Sequence, residues 1–293
     1  MGRRAALIAV PLAAALVLTL FAWPAVRLEP RDLPVGVVGA ARVDNGNFDV
    51  HRYSSEAAAR DAISSRDVYG AFVATPGGTR TLTASAASPA VAGLLAEAGR
   101  GRVVDVAPGS ESDPRGAGLA AATLPLVMAG MLVGAAATSL APAGLRRAGW
   151  AAGAAGAAGL AATAIVQGWL GVVEGDWTAN WAAFSLTVLA IASIAAGAAA
   201  LVGRLGLALA AVLTVVVGNA FSAMSSAPEM LPRPVGALGQ LMPPGAGGNL
   251  VRSTGFFDGA AAGEHVLVLA GWSVLGLTAL LVAAARERRR VVS

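Results

Sequence analysis

Five long, almost uncharged stretches between Gly118 and Ser293 constrain this chain more than anything else in it. The first, "GLAAATLPLVMAGMLVGAAATSL" at 118–140, holds no ionisable residue. About 20 apolar residues in a helix cross the hydrocarbon core of a bilayer. A further apolar run follows Arg3 and Arg4 at the N-terminus, and a polar segment of about ninety residues separates it from the rest. The pattern is one helix, a globular insert, then five helices.

Composition agrees. Hydrophobic residues make up 56% of the chain and charged residues 13%, about half the charged share of a soluble domain. Mean hydropathy is +0.67. With no cysteine there is no disulfide framework, thiol nucleophile or cysteine-ligated metal, and two histidines make a poor basis for a His-rich centre. All 21 basic residues are arginine. Together with the Ala, Gly and Val excess, this points to a GC-rich bacterial genome. The pI of 10.8 does not argue for nucleic acid, because the inner arginines cluster at helix ends, where membrane topology accounts for them.

Residues 1–26 read as an uncleaved anchor. The apolar core exceeds the 7–15 residues of a signal peptide, and "FAWPAV" is a poor cleavage site. Residues 27–117 carry ten arginines against eleven carboxylates. Strands are expected at 34–40, 48–54, 68–74, 79–86 and 102–107, with a turn at 75–78. Helices are expected at 56–64, capped by Ser54 or Ser55, and at 88–99, opened by Ser88 and Pro89 and closed by Gly99. The order β, β, α, β, β, α, β predicts a small α+β domain, and 108–118 reads as a polar linker.

The remaining spans are expected at 150–171, 182–202, 205–222 and 265–285 within a five-helix domain at 118–285, with a basic tail at 286–293. In the second of the five, Gly153, Gly156 and Gly159 recur every three residues and read as a helix-contact face. Nine arginines fall on segments assigned to the inner side and two, Arg233 and Arg252, on short outer loops. That bias predicts six spans with both termini cytoplasmic and 27–117 outside the plasma membrane of a bacterial cell. Residues 223–264 then form a Pro- and Gly-rich outer segment.

This arrangement resembles the permease of ABC-2-type transporters, and more narrowly the actinobacterial-style branch related to the YhgE/Pip membrane proteins. Three stretches carry the resemblance: "SSEAAARDAISSRDVYGAFVATPGG" (54–78), "LPLVMAGMLVGAA" (124–136) and "LPRPVGALGQLMPPGAGGNLVRSTGFFDG" (231–259). It implies a homodimer that exports a hydrophobic or amphipathic substrate, driven by an ATPase on a separate chain. It also implies a docking loop at Leu145, Arg146 and Arg147. Two features depart from the family: only "MGRR" stands before the first span where an amphipathic helix is usual, and the loop bearing those three residues is short. The alternative is a non-transporting scaffold or accessory protein of the cell envelope whose outer domain binds a partner.

Each candidate site has a plainer reading. Arg146 and Arg147 also serve as topology determinants. Gln167 and Asn219, amides within the spans, line a path or hydrogen-bond between helices. No Asp, Glu, Arg or His sits at a span centre, which weighs against an ion-coupled carrier. The outer segment, with Pro243, Pro244, Gly245, Asn249 and Arg252, reads either as a gate or as a solvated loop, with 242–249 taken as non-helical. Asp49, His51 and Ser54 lack a nucleophile elbow, and His265 beside Glu264 reads as interfacial. No P-loop is present, and no lysine exists to complete one. The sequence shows no catalytic set, and no cofactor or metal site is expected.

Overall fold

A computed structural model describes residues 3–41, 46–99 and 101–292. Helix α1 (Arg3–Ala25) leads to a five-stranded sheet domain, and a helical block follows. Among the described residues five helices are long and apolar enough to cross a membrane: α1, then Ala117–Leu140 (α4), Leu145–Trp169, Trp177–Val202 (α6) and Ala262–Arg289 within α10 (Ala262–Val292). The protein is a helical membrane protein carrying a small sheet. Met1, Gly2 and Ser293, at the ends of the expected anchor and tail, lie outside the described residues.

The sheet domain has the expected element order. Strands β1 (Leu33–Val38), β2 (Phe48–Tyr53), β3 (Gly70–Thr75), β4 (Gly78–Thr83) and β5 (Arg102–Asp105) lie in the order β2-β1-β3-β4-β5. The β3–β4 pair is an antiparallel hairpin and the other pairs are parallel. Helices α2 (Glu56–Ser64) and α3 (Pro89–Gly99) supply crossovers, as parallel neighbours require. Ser55 caps α2, its Oγ accepting from the Ala58 amide at 3.1 Å. Ser88 caps α3 in the same way through Val91. Alternation along the strands then sorts the core into two layers. Ala71, Val73 and Leu82 face Ala59, Ala62 and Ile63 of α2. Leu33, Val35 and Phe72 face Val91 and Leu95 of α3.

The helical block centres on α6. Its middle third is buried, with α4, α5 (Leu145–Thr163, extended by a π-helical turn to Trp169) and α10 around it. Glycine permits the closest crossings. A Cβ on Gly130 or Gly134 of α4 would lie 2.7 Å from Ile191 or Ala195 Cβ, and one on Gly276 of α10 would enter the Ser193 backbone.

The expected contact stripe on α5 is corrected. A Cβ added at Gly153 or Gly156 would meet open space, although Trp181 Nε1 donates to the Gly156 carbonyl at 3.0 Å, and one at Gly159 would strike Ser185. The buried row is Ala151, Ala155, Gly159 and Thr163. Steps of four residues hold one helix face, whereas steps of three turn away from it at 3.6 residues per turn.

Two further expectations change. The fifth apolar helix is short: α7 (Arg204–Ala211) continues as a π-helical turn only to Gly218, about 22 Å at 1.5 Å per residue. Residues 242–249 are not irregular. They open α9 (Pro243–Phe256), with Pro243 and Pro244 in its first turn, where proline's missing N–H costs nothing. The glycines are there for packing: a Cβ on Gly247 would strike Thr187 of α6, and one on Gly245 the Gly239 carbonyl.

Candidate functional site

The outer segment ties the sheet domain to the helical block. It leaves α7, reaches the sheet at Pro228–Met230, descends through α8 (Val235–Gln240), turns, and returns through α9. Both ends of this helical hairpin sit in sheet-domain cores: Ala227 and Met230 join the α3 layer, and Phe257 joins the α2 layer. Backbone bonds from Glu29 N to Met230 O (3.1 Å) and Arg31 N to Glu229 O (2.9 Å) reinforce the join. The tip lies between α6 and the end of the α7 segment, with Pro244 against Gly218 and Gly247 against Thr187.

Beside this hairpin is a cavity of about 470 Å³, within the range of about 300–1,000 Å³ typical of ligand pockets. Its polar wall comes from three parts of the chain: Arg66 and Tyr69 from the sheet domain, Glu229, Gln240 and Asn249 from the outer segment, and Glu264 and His265 from the start of α10. Leu231, Leu241 and Val268 supply apolar wall.

Arg66 is the anchor. It sits in the left-handed region (φ 65°) just past the end of α2. Its Nη1 donates to Asn249 O (3.1 Å) and Ser253 Oγ (2.5 Å), and its Nη2 to Asn249 Oδ1 (3.0 Å). Its Cζ lies 5.3 Å from the centre of the Phe257 ring, a cation–π distance. Among the described residues no carboxylate lies within ion-pair distance of it. Burial pulls this guanidinium below its ordinary range, with Tyr69 and Glu229 opposing the shift. Three neutral acceptors therefore hold a half-buried positive charge that forms no ion pair among the described residues.

Tyr69 donates to Glu229 Oε2 at 2.9 Å. Burial, then the Glu229 carboxylate, push its phenol far above the usual range, so it remains a donor at every physiological pH. Asn249 donates to Gln240 Oε1 (2.6 Å), and Gln240 donates to Ser222 O (3.2 Å). The two other lining arginines are compensated. Arg31 pairs with Glu29 at 2.5 Å, and Arg233 pairs with Asp32.

No protein-family model, curated protein or solved structure matches this chain.

The residues singled out from sequence divide. Asn249 lies in the cavity wall. Pro243, Pro244 and Gly245 form the buried opening of α9. Arg252 is 3% exposed and donates through Nη2 to Met224 O at 2.6 Å. Leu145, Arg146 and Arg147 are not a loop: they form the first turn of α5, after a link of four residues. Arg147 Nε donates to Ala141 O at 3.2 Å, closing the end of α4, while Leu145 is 76% exposed. Gln167 is a structural pin. It accepts from Asn180 Nδ2 (3.0 Å) and donates to Gly175 O (2.9 Å). Asn219 borders a separate cavity of about 270 Å³ beside the end of α1. Asp49 and His51 form an exposed pair at 3.1 Å on β2.

Sequence reasoning passed over Arg66, Tyr69, Glu229 and Asn180. Asn180 is fully buried. Besides Gln167 it bonds Glu174 O (2.6 Å) and accepts from Thr254 Oγ1 (2.6 Å), joining α5, α6 and α9.

Proposed function

We propose that the protein is the membrane subunit of an ABC-2-like exporter, a homodimer that moves a hydrophobic or amphipathic substrate with a separate ATPase. The observation that carries this reading is the helical hairpin of α8 and α9. It is lodged between the short α7 and the last long helix and joined at both ends to the sheet domain. In this reading α7 is a sixth span of reduced length, the α8–α9 hairpin enters the membrane from outside and returns, and the sheet domain is extracytoplasmic. Short helices and backbone at membrane depth are tolerated where protein shields them, and α9 is buried along most of its length. The hairpin is then the element through which the outer domain and the membrane path move together.

A second reading, an envelope scaffold without transport, draws support from the inner side. The link from α4 to α5 is only Ala141–Gly144, and the exposed residues flanking it include Leu140, Leu145 and Arg146. Purification of the tagged protein from native membranes in mild detergent separates the two. The exporter reading expects a co-purifying P-loop ATPase that is lost when Arg146 and Arg147 are both changed to alanine, with the chain still inserted. Absence of any ATPase, even after crosslinking, overturns that reading in favour of the scaffold.

A further inference from the structure

We propose that the cavity between the sheet domain and the start of α10 binds the headgroup of a phosphodiester amphiphile, with Arg66 as its anionic anchor. The inference does not depend on transport, since a scaffold would hold the same headgroup.

Four observations converge. First, Arg66 carries a half-buried charge whose hydrogen bonds among the described residues all go to neutral acceptors, and its three bonds leave Nε–H and one Nη2–H without an acceptor among those residues. A guanidinium matches the oxygens of a phosphate with two parallel bonds, and a phosphodiester would supply the missing countercharge. Second, Arg31 and Arg233 are already paired with Glu29 and Asp32. Among the described residues the wall therefore has one arginine outside any ion pair, which suits a singly charged diester better than a free phosphate dianion. Third, Glu229 and Glu264 line the same space, and neither is in an ion pair among the described residues. Carboxylates accept from the hydroxyl or amine donors that phosphodiester headgroups carry, and they repel a bare anion. Fourth, the other wall is apolar and continuous with the exterior of the helical block. Leu241 and Leu238 are exposed on α8 and at its end, and Val268 sits one helical turn beyond His265 on α10. Trp272 Nε1 donates to Leu241 O at 2.8 Å, fixing α8 to α10 along that edge. Acyl chains have a path out over this surface, while the headgroup stays in the polar pocket.

The test is binding to purified protein in a neutral maltoside detergent, followed by calorimetric titration. Dihexanoylphosphatidylglycerol is the probe. Dihexanoylglycerol has the same chains without phosphate, and glycerol 3-phosphate has the polar chemistry without chains. The expected result is saturable binding of the phospholipid and at least tenfold weaker binding of each comparator. Arg66→Gln is expected to weaken binding at least tenfold. Because Arg66 also holds α9, Ala237→Phe is the companion variant. Ala237 is exposed at the mouth of the cavity and forms no side-chain bond, and a ring there is expected to block entry to the same degree. Equal binding of glycerol 3-phosphate would mean a site for free phosphates, and equal binding of dihexanoylglycerol would mean that phosphate is not read. Either result, no saturable binding, or unchanged affinity in both variants overturns the proposal.

Discussion

Glycine-to-alanine exchange should change sign between α5 on one hand and α4 and α10 on the other. At Gly153 and Gly156 of α5 an added Cβ meets open space. Alanine there removes glycine's unfavourable helix propensity, a gain of about 0.5–1 kcal/mol. At Gly276 of α10 the same methyl enters the backbone of Ser193, and at Gly134 of α4 it comes within 2.7 Å of the Ala195 Cβ and close to the Ala192 carbonyl. Backbone cannot step aside, so overpacking costs about 1–3 kcal/mol. Each kcal/mol corresponds to about 2–4 °C in a chain of 150–250 residues. Gly153→Ala and Gly276→Ala should then melt at least 3 °C apart by this ~2–4 °C conversion, on opposite sides of the parent. The assay is thermal unfolding in detergent, read by tryptophan fluorescence, with size-exclusion chromatography reporting oligomeric state. Destabilisation by Gly156→Ala as large as that by Gly276→Ala would refute the reasoning. The stripe would then be a contact face after all, with a second copy of the chain as its partner.

Other expectations follow from the same geometry. Replacing Asn180 by leucine removes the partner of the Gln167 side-chain carbonyl and of the Glu174 carbonyl, while the Thr254 hydroxyl keeps the Leu250 carbonyl, and melting should report a loss of about 1–3 kcal/mol. Tyr69→Phe removes one bond to a carboxylate and should cost roughly 1–2 kcal/mol in the same assay. Glu56 links α2 to β4 through Arg60 (2.8 Å) and Arg80 (2.7 Å). The Arg60 hydrogen bond, aided by Arg80, holds its carboxyl below the usual range. A carboxylate with a depressed folded pKa adds stability above its unfolded pKa, and that stability is lost as pH falls through the folded value. Glu56→Gln should therefore lower stability by about 0.5–1 kcal/mol near pH 7, and the gap between variant and parent should close in melts at progressively lower pH.

The sheet domain was legible because its signals are local. Ser55 and Ser88 announce their helices, Gly77 and Gly78 mark the hairpin, and strand alternation sorts residues to the two faces. Bounds moved by only a few residues, most at β4, which stops at Thr83. The outer segment was misread because Pro and Gly have two meanings. In "MPPGAGGN" they look like breakers, yet Pro243 and Pro244 open a helix and Gly245 and Gly247 let it lie against its neighbours. The cavity was not legible at all. Arg66 is one of ten arginines in its domain, and its partner Asn249 is 183 positions away. Asn180 was hidden by its place near a helix end, where an amide reads as solvated.

The exporter reading requires the sheet domain to lie outside the cell and the α4–α5 link inside. Because the chain has no cysteine, single cysteines can test this directly. Ser54→Cys on the sheet domain and Ala143→Cys in the link both lie at exposed positions. A membrane-impermeant maleimide should label Ser54→Cys in intact cells and Ala143→Cys only after the membrane is opened. Ser54→Cys staying unlabelled until the cells are opened, or both sites reacting equally in intact cells, would contradict the account.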